Sequence, residues 1–563
     1  MAVVVACSST TRAEIVISEI LYDAQGVDHD DAAKHPYNRE WVELFNSGDQ
    51  AVDLSGWQVG NVRADAWTAP LPDGTQLQPH QALVVTGDAA TFDAEWGKKI
   101  HRVEVKSFPD LPNERKSPHQ VVAIRDAAGA VRDKVDYGAA GWPNVRGGDG
   151  HSVYALPQGL TAKANDAGAN WRPASQGVYG ARFTRTYGPS ENHGSPGVVV
   201  TEPQPPFAPS ADAAWSLALL PDTQNYVRDK GDLPILVEQI DWIKKNKDAF
   251  KIQLVMQEGD VVNQNGGKAP ANGEQTAAEQ WANARRAFSR LDGVLPYIMA
   301  TGNHDYGTTN SQSRQTQFNN FFKATDNPLV DPAHDGILRG VMTPGSLENA
   351  YYELTAPDGR QLLVFALEFW PRQQAVDWAN SIAKQPQFKN HTAVLLTHAY
   401  MNSNEKRCEY GPKSYGIGPD GNDGKSLWNK LVRKHGNFAM TFNGHVGGDG
   451  TAYLKSVGDR GNAVHQMLFN SQFEASGGNG WLRLVEFLND GRTVRIRTYS
   501  PFLGVYRTDP ANQFEFTIAP AGKSTPRAEA SAAAQPRAKE GPQAARARPA
   551  SLRSAKPSPA NAN

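Results

Sequence analysis

Short apolar runs between Asp222 and His445 end in side chains that hold metals or move protons. "LLPDTQ" ends in Asp222 and Gln224, and "MQEGDVVN" in Asp260 and Asn263. "ATGNHD" supplies Asn303, His304 and Asp305, "LLTHAY" supplies His398, and "FNGH" supplies His445. Hard oxygens from Asp and Asn, mixed with neutral imidazole, suit divalent zinc, manganese or iron. Two such ions about 3.5–4 Å apart can clamp a phosphate ester and activate a water between them. One carboxylate must then bridge the ions, and Asp260 is the natural bridge. Gly259 and Gly302 let the backbone approach that centre without a side-chain clash. A lone Asp after a strand is ordinarily a turn or cap residue, and a lone His an ordinary core or surface residue. Five such ends in one chain are not explained that way.

The elements that must position these residues are legible in the pattern. From Trp215 onward, "WSLALLPDTQ", "KIQLVMQEGD" and "PYIMATGNHD" read as strands, with "PILVEQIDWIKKNKDAF" and "AAEQWANARRAFSRL" as helices between them. Strands alternating with helices predict a parallel α/β sheet, whose carboxyl edge is where ligands bind. Later strands, "WLRLVEFL" and "TVRIRTYS" among them, follow without long helices and predict antiparallel pairs, with folded structure ending near Phe516 to Ile518.

The N-terminal part obeys a different grammar. "IVISEILY", "EWVELFN", "WQVGN", "ALVVTGD", "HQVVAIRD" and "DKVDYG" are short strands broken by Gly, Asp, Asn and Pro, the pattern of an all-β sandwich. Trp57 is expected in its core, and Gly129 in a hairpin turn. "TEPQPPFAPSADAA" reads as a stiff linker. After Pro520 the chain is Ala, Pro, Arg, Lys and Ser with almost no large apolar residue, and is expected to be a disordered tail. Its scattered Arg and Lys offer contact to anionic partners.

The chain has 563 residues, beyond one ordinary core. A formal net charge of −2 gives no overall electrostatic case for nucleic acid or an anionic membrane, although a local patch remains open. Two cysteines, Cys7 and Cys408, exclude a disulfide framework and a thiolate zinc site. No apolar run is long enough to span a bilayer. "MAVVVACSS" resembles the end of a bacterial lipoprotein signal without its basic region, so an extracytoplasmic location (secreted, periplasmic or lipid-anchored) is expected. The acidic run "DHDD" lacks calcium-loop spacing, "RGGDGHS" lacks phosphate-loop grammar, "QNGGKAPANGEQ" reads as a solvated loop, and Cys408 as a passive thiol.

Two resemblances follow from these residues. "IVISEILYD", "EWVELFNSGDQAVDLSGWQV", "LQPHQALVVTGD" and "SPG" resemble the lamin-tail domain, an immunoglobulin-like sandwich that accompanies secreted hydrolases in bacteria; binding or anchoring to a cell-surface or polymer ligand is its implied role. The blocks D-x-Q, G-D-x-x-N, G-N-H-D, T-H and G-H resemble the calcineurin-like metallophosphoesterases, which implies a four-layer α/β/β/α domain. The implied organisation is a tail at 1–14, a sandwich at 15–200, a linker at 201–214, the phosphoesterase domain at 215–520 and a disordered tail at 521–563. By position, the resemblance implies that Asp222, Gln224 and Asp260 hold a first metal. Asp260, Asn303, His398 and His445 hold a second, the ions being manganese, zinc or iron. His304 would assist the phosphoryl group and Asp305 would orient His304 through its ring. The expected activity is hydrolysis of phosphate mono- or diesters by metal-activated water. The family's usual G-H-x-H block here reads "GHVGG", so Gly447 stands where a first-site His is expected; Asp449 and His465 are candidate replacements. The alternatives are a surface binding protein with a decayed site and an extracellular nuclease.

Overall fold

A computed structural model describes residues 14–24, 39–113, 120–138, 142, 150–175, 177–184, 192–410 and 415–520. Cys7, the "DHDD" run, most of "RGGDGHS" and the C-terminal tail lie outside the described residues. Among those described, no helix is long and apolar enough to cross a membrane.

The N-terminal part is a sandwich of two main sheets. One has six strands in the order Trp171–Pro173, Val153–Ala155, Ile15–Leu21, Trp41–Asn46, Ala82–Thr86 and Arg102–Glu104. The other pairs Val131–Asp136, Val121–Arg125, Gln58–Asn61 and Ala66–Trp67. One apolar cluster fills the space between them, including Val16, Leu44, Val85, Val122, Ile124 and Trp171. The hairpin expected at Gly129 is present, with φ +82° in the turn between two antiparallel strands. Trp57 is only half-buried and packs at the rim; Trp41 and Trp171 are the fully buried indoles.

Two buried acids close this sandwich. Glu19 and Glu43 are direct neighbours on adjacent strands. Glu19 accepts from the Ser195 N–H and hydroxyl, each at 2.7 Å, and Glu43 from the Gly197 N–H at 2.6 Å. The "SPG" stretch is thereby pinned to the first two strands. Burial raises Glu19 to about 7 despite its serine donors, and burial with the neighbouring Glu19 raises Glu43 to about 8.

The stretch expected as a linker is not a free spacer. Gln204 exchanges two hydrogen bonds with the Tyr506 backbone, and Phe207 stacks on Tyr499 at 4.4 Å with the Arg497 guanidinium over its ring. Its first strand, Ala213–Leu220, already begins inside it.

The C-terminal part contains two seven-stranded mixed sheets. In the first, Tyr297–Met299, Ile252–Gln257 and Ala213–Leu220 are parallel, followed by antiparallel Leu482–Leu488, Thr493–Ser500 and Val505–Arg507. Phe514–Thr517 also pairs with Thr493–Ser500. In the second, Gln361–Leu367, Thr392–Thr397, Phe438–Asn443 and Ala463–Phe469 are parallel. Leu338–Val341, Ala350–Thr355 and Thr451–Val457 complete it as antiparallel neighbours.

Alternation along the strands sorts side chains to opposite faces. Trp215, Leu217, Leu219 and Met256 share one cluster with Val364, Leu396, Met440 and Phe442, so the two sheets bury a common face. Ala218, Leu220 and Val255 instead pack with helices Leu233–Asn246 and Ala277–Phe288. Leu363, Phe365 and Leu395 pack with helices Gln373–Ala383 and Gly424–Lys430. A capping box of Thr276 and Glu279 starts the helix that follows the Asp260 loop.

The acid pair makes a pH prediction. In the unfolded chain both carboxyls ionise near their ordinary value, whereas in the fold they stay protonated to about 7 and 8. Their contribution to stability is full below about pH 4.5 and is lost as pH rises towards 8. The sandwich should therefore melt at least about 5 °C lower at pH 8 than at pH 5, and Glu19→Gln with Glu43→Gln should flatten that slope. A melting temperature that rises with pH in the unsubstituted protein would contradict this.

Candidate metal centre

Parallel strands from both sheets point their carboxyl ends at one region. Asp222 follows Ala213–Leu220, Asp260 follows Ile252–Gln257, and Asn303 follows Tyr297–Met299. His398 directly follows Thr392–Thr397, and His445 follows Phe438–Asn443. The turns that aim these side chains are strained. Asp260 has φ +50° and His445 φ +71°, a region that costs non-glycine residues of order 1 kcal/mol or more.

Glycines make the approach possible. A Cβ on Gly302 would lie 2.1 Å from Asp260 Oδ1, and one on Gly444 2.0 Å from Asp222 Oδ1. Gly259, at φ +98°, lies against the His398 ring.

One group of donors converges on His398 Nε2. Asp260 Oδ2 and Asn303 Oδ1 are each 3.1 Å from it, and His445 Nδ1 is 3.2 Å from it. The ligand atoms of Asp260, His398 and His445 all lie within 4.8 Å of one another. One ring nitrogen carries at most one proton and cannot satisfy three neighbours, whereas a shared cation can. The far side of each ring is already engaged. His398 Nδ1 donates to the Glu258 carbonyl at 2.9 Å, and His445 Nε2 lies 2.9 Å from the Tyr415 hydroxyl. The carbonyl fixes neutral His398 in the tautomer whose Nε2 is bare, whereas the Tyr415 hydroxyl can donate or accept and is compatible with either tautomer of His445.

The charges are tightly linked. Burial opposes a charged His398, but Asp260 and Asp222 outweigh it and lift it to about 9. Burial and then His398 push His445 down to about 3. Burial would raise Asp260, yet His398 and His304 hold it at about 2.

A second group gathers at Asp222. Gln472 Nε2 donates to its Oδ2 at 2.7 Å, Asn470 Nδ2 at 3.3 Å, and the His445 N–H reaches Oδ1 at 3.1 Å. Gln224 Nε2 donates to Gln472 Oε1, while Gln224 Oε1 is buried without a partner. Burial, opposed by His398 and reinforced by Asp260, raises Asp222 to about 7. This group is rich in oxygen and lacks imidazole.

Gln472 and Asn470 were not singled out in the sequence. The signal was "FNSQ" at the carboxyl end of Ala463–Phe469, a further parallel strand of the second sheet. Gly447 faces the Phe473 ring, 2.9 Å from where a Cβ would stand. His465 is not a replacement ligand. It sits near the opposite end of its strand, between the Tyr453 hydroxyl at 2.7 Å and the Thr517 carbonyl at 3.0 Å. Asp449 accepts the Thr451 N–H within its own turn.

His304 donates its backbone N–H to Asp260 Oδ1 at 2.8 Å, and its ring Nδ1 donates to the Asn263 carbonyl at 2.8 Å. Asp305 does not orient that ring. Its carboxylate accepts backbone N–H groups of Gly302, Val261 and Val262, at 2.7, 3.2 and 3.1 Å. In the single 3₁₀ turn Asn303–Asp305 the side chain folds back on the turn's start, so it ties the "GNHD" and "GD" turns together. Burial and Asp260 raise it to about 7.

Glu258, also missed in the sequence, is fully buried with neither oxygen partnered, and burial and Asp222 keep it protonated far above the ordinary range. The loop after Asn263 is solvated as expected from residue 267 to 274, and Gln264 anchors its start by binding the Gly266 and Ala269 carbonyls. Cys408 is buried, donates to Asn402, and burial pushes its thiol up to about 12, an inert group.

The glycine geometry is testable by stability alone. Gly302→Ala and Gly444→Ala should each cost about 1–3 kcal/mol in urea melts, the penalty of overpacking, while Gly231→Ala, where a Cβ meets nothing, should change little. Equal effects at all three positions would contradict the close approach to Asp222 and Asp260.

Residues 8–139 match the Lamin Tail Domain family. The chain is 27% identical over 321 residues to a Bacillus subtilis (strain 168) protein named "Uncharacterized protein YvnB". The match covers 55% of this chain and 22% of that one, so the chain spans about a fifth of that relative's length. Among solved structures, "GAP50 the anchor in the inner membrane complex of Plasmodium" is 10% identical, with a TM-score of 0.32, covering 56% of this chain and 93% of that one. An amidase from Nesterenkonia sp. is 12% identical, with a TM-score of 0.20, covering 57% and 96%.

Proposed function

With a lamin tail domain at its N-terminus as the premise, we propose that the chain is a metal-dependent phosphoesterase whose C-terminal part adopts the four-layer α/β/β/α arrangement. The observation that carries this reading is the convergence of Asp260 Oδ2, Asn303 Oδ1 and His445 Nδ1 on His398 Nε2. The shared core of the two sheets and the helices on their other faces support the layering.

The donor sets fit two ions of different character. Asp260, Asn303, His398 and His445 would hold one ion through mixed nitrogen and oxygen, as zinc, iron or manganese prefer. Asp222, Gln224 and the shared Asp260 would hold the other, with the orphaned Gln224 oxygen turned to use and Gln472 beside it. An oxygen set favours manganese, magnesium or calcium over zinc. Manganese satisfies both. When bound, such ions polarise phosphoryl oxygens and lower the pKa of water.

The protein's own residues account for the rest. Asp260, with Oδ2 towards His398 and Oδ1 fixed by the His304 N–H, would be the carboxylate shared by the two groups. His304 is half-buried, and with Nδ1 bound to the Asn263 carbonyl it presents Nε2 for charge stabilisation or for protonating the leaving oxygen. Asp305 holds the turn that places His304. Tyr415 and the Glu258 carbonyl orient the two imidazoles. Phe369, Trp370 and Tyr415 pack against this side of the centre, with Phe369 5.5 Å from the His445 ring.

Hydrolysis of bis(p-nitrophenyl) phosphate and of its monoester by manganese-loaded protein tests the proposal. Asp260→Ala should abolish turnover. His304→Gln should lower kcat about 10²–10⁴-fold while retaining the bound metal. Absence of turnover and of bound metal would favour the rival reading, a binding protein with a decayed site, for which Gly447 is the motive. Turnover unchanged in Asp260→Ala would place the chemistry elsewhere.

A further inference from the structure

The opposite end of the second sheet carries a feature that the metal centre does not use. A cleft of about 1000 Å³ opens where Thr392–Thr397, Phe438–Asn443 and Ala463–Phe469 begin. The far ends of the same strands lead to His398, His445 and Asn470. Strands of six or seven residues separate the two places by about 20 Å.

The cleft has one sign of charge. Lys384, Lys389, Lys434, Lys455, Arg460 and Arg492 line it, all exposed, and no Asp or Glu is among its lining residues. In a chain of formal net charge −2, this is a marked concentration. The carboxylates beside it are engaged elsewhere. Asp459 pairs with Arg433 at 2.7 Å, Glu353 binds Arg339 and His391, and Asp490 accepts the N–H groups of Arg492 and Thr493. Like charges crowded around a concavity repel one another and concentrate anions from solution.

We propose that this cleft binds a linear polymer of phosphate groups through its charges alone. A chain fits better than a single anion, because the cations are exposed and spread around a large opening with no buried charged pocket. A concave opening does not suit a flat bilayer, and Val457 is its one strongly exposed large apolar side chain among the described residues. Nor are bases read here. Phe438 is buried, His391 is bound to Glu353 and His435 to Asn380, so the lining offers no free aromatic platform of the kind that stacks nucleobases. The chain's own continuation is a poor electrostatic match: Ala519 and Pro520 line the cleft, and residues 521–563 carry eight Lys and Arg against two Glu, the same sign as the cleft.

The test is binding of fluorescently labelled inorganic polyphosphate to the full chain, followed by anisotropy over a series of salt concentrations. A chelator is present so that turnover cannot consume the probe. Affinity should fall linearly on a logarithmic salt scale, by about 0.7 per phosphate contact. The triple variant Lys389→Ser, Lys455→Ser, Arg460→Ser should bind at least tenfold more weakly, with the slope reduced by about 2. A control triple, Lys230→Ser, Lys244→Ser, Lys245→Ser, should bind as the parent does. All six substituted sites are exposed, so both triples should melt like the parent. The proposal is overturned by absence of binding at low salt, or by parental affinity in the cleft triple. It is equally overturned if a chain ending at Pro520 loses all binding, which would assign it to the C-terminal residues. Tenfold tighter binding of oligo(dT) at equal charge would mean that bases are read, and binding to anionic vesicles without polyphosphate binding would mean a membrane surface. The outcome does not depend on the metal centre, so its failure would leave the phosphoesterase reading intact.

Discussion

Asp222 and Asp260 are buried together at the edge where two sheets end, and two desolvated like charges cannot both stay ionised without a cation. In the protein by itself the conflict divides the pair. Asp222 is raised to about 7 and Asp260 held at about 2, with a positive His398 beside them. The surroundings are arranged around that conflict. Gly302 and Gly444 bring backbone against each carboxylate, and Asp260 and His445 accept left-handed backbone so that their side chains turn inward. The divalent cation proposed for this cluster would relieve the conflict by neutralising both carboxylates.

The same centre is mechanically tied to the rest of the chain. The segment from Asn470 to Glu474 touches Asp222 through Gln472 and Asn470. Its other end, Glu474, binds Arg507 and Ser175, and the Ser175 hydroxyl also accepts from the Trp481 indole at 3.0 Å. Ser175 lies in the N-terminal part, just beyond its Trp171–Pro173 strand. The sandwich therefore packs against the loop that supplies the amide neighbours of Asp222, and the stretch around Gln204 and Phe207 fastens the two parts again at Tyr506 and Tyr499.

Much of this was legible in the sequence. Strands followed by Asp, Asn or His carry their own register, because a strand end and its next two residues are local; the edge on which Asp222, Asp260, Asn303, His398 and His445 meet follows from parallel pairing. What was not legible depends on contacts across the fold. The Asp305 side chain was expected at the His304 ring, but backbone N–H groups of Val261 and Val262, more than forty residues away, take it instead. Gln472 looked like an ordinary polar residue until its strand was seen to run parallel to Phe438–Asn443. Tyr415 and Glu258 act through single contacts that no spacing announces. The Pro-rich stretch before Trp215 looked like a spacer because its composition is one, yet an aromatic stack holds it down.

The most direct measurement is the metal content of the protein after loading with manganese and removal of free ion by gel filtration, beside Asp260→Asn. The account predicts one to two manganese ions retained per chain, and a marked loss in the variant, because Asp260 would be a ligand in both proposed sites. No retained metal in the parent protein, or equal retention in the variant, would contradict the claim that this buried cluster is built to hold a cation.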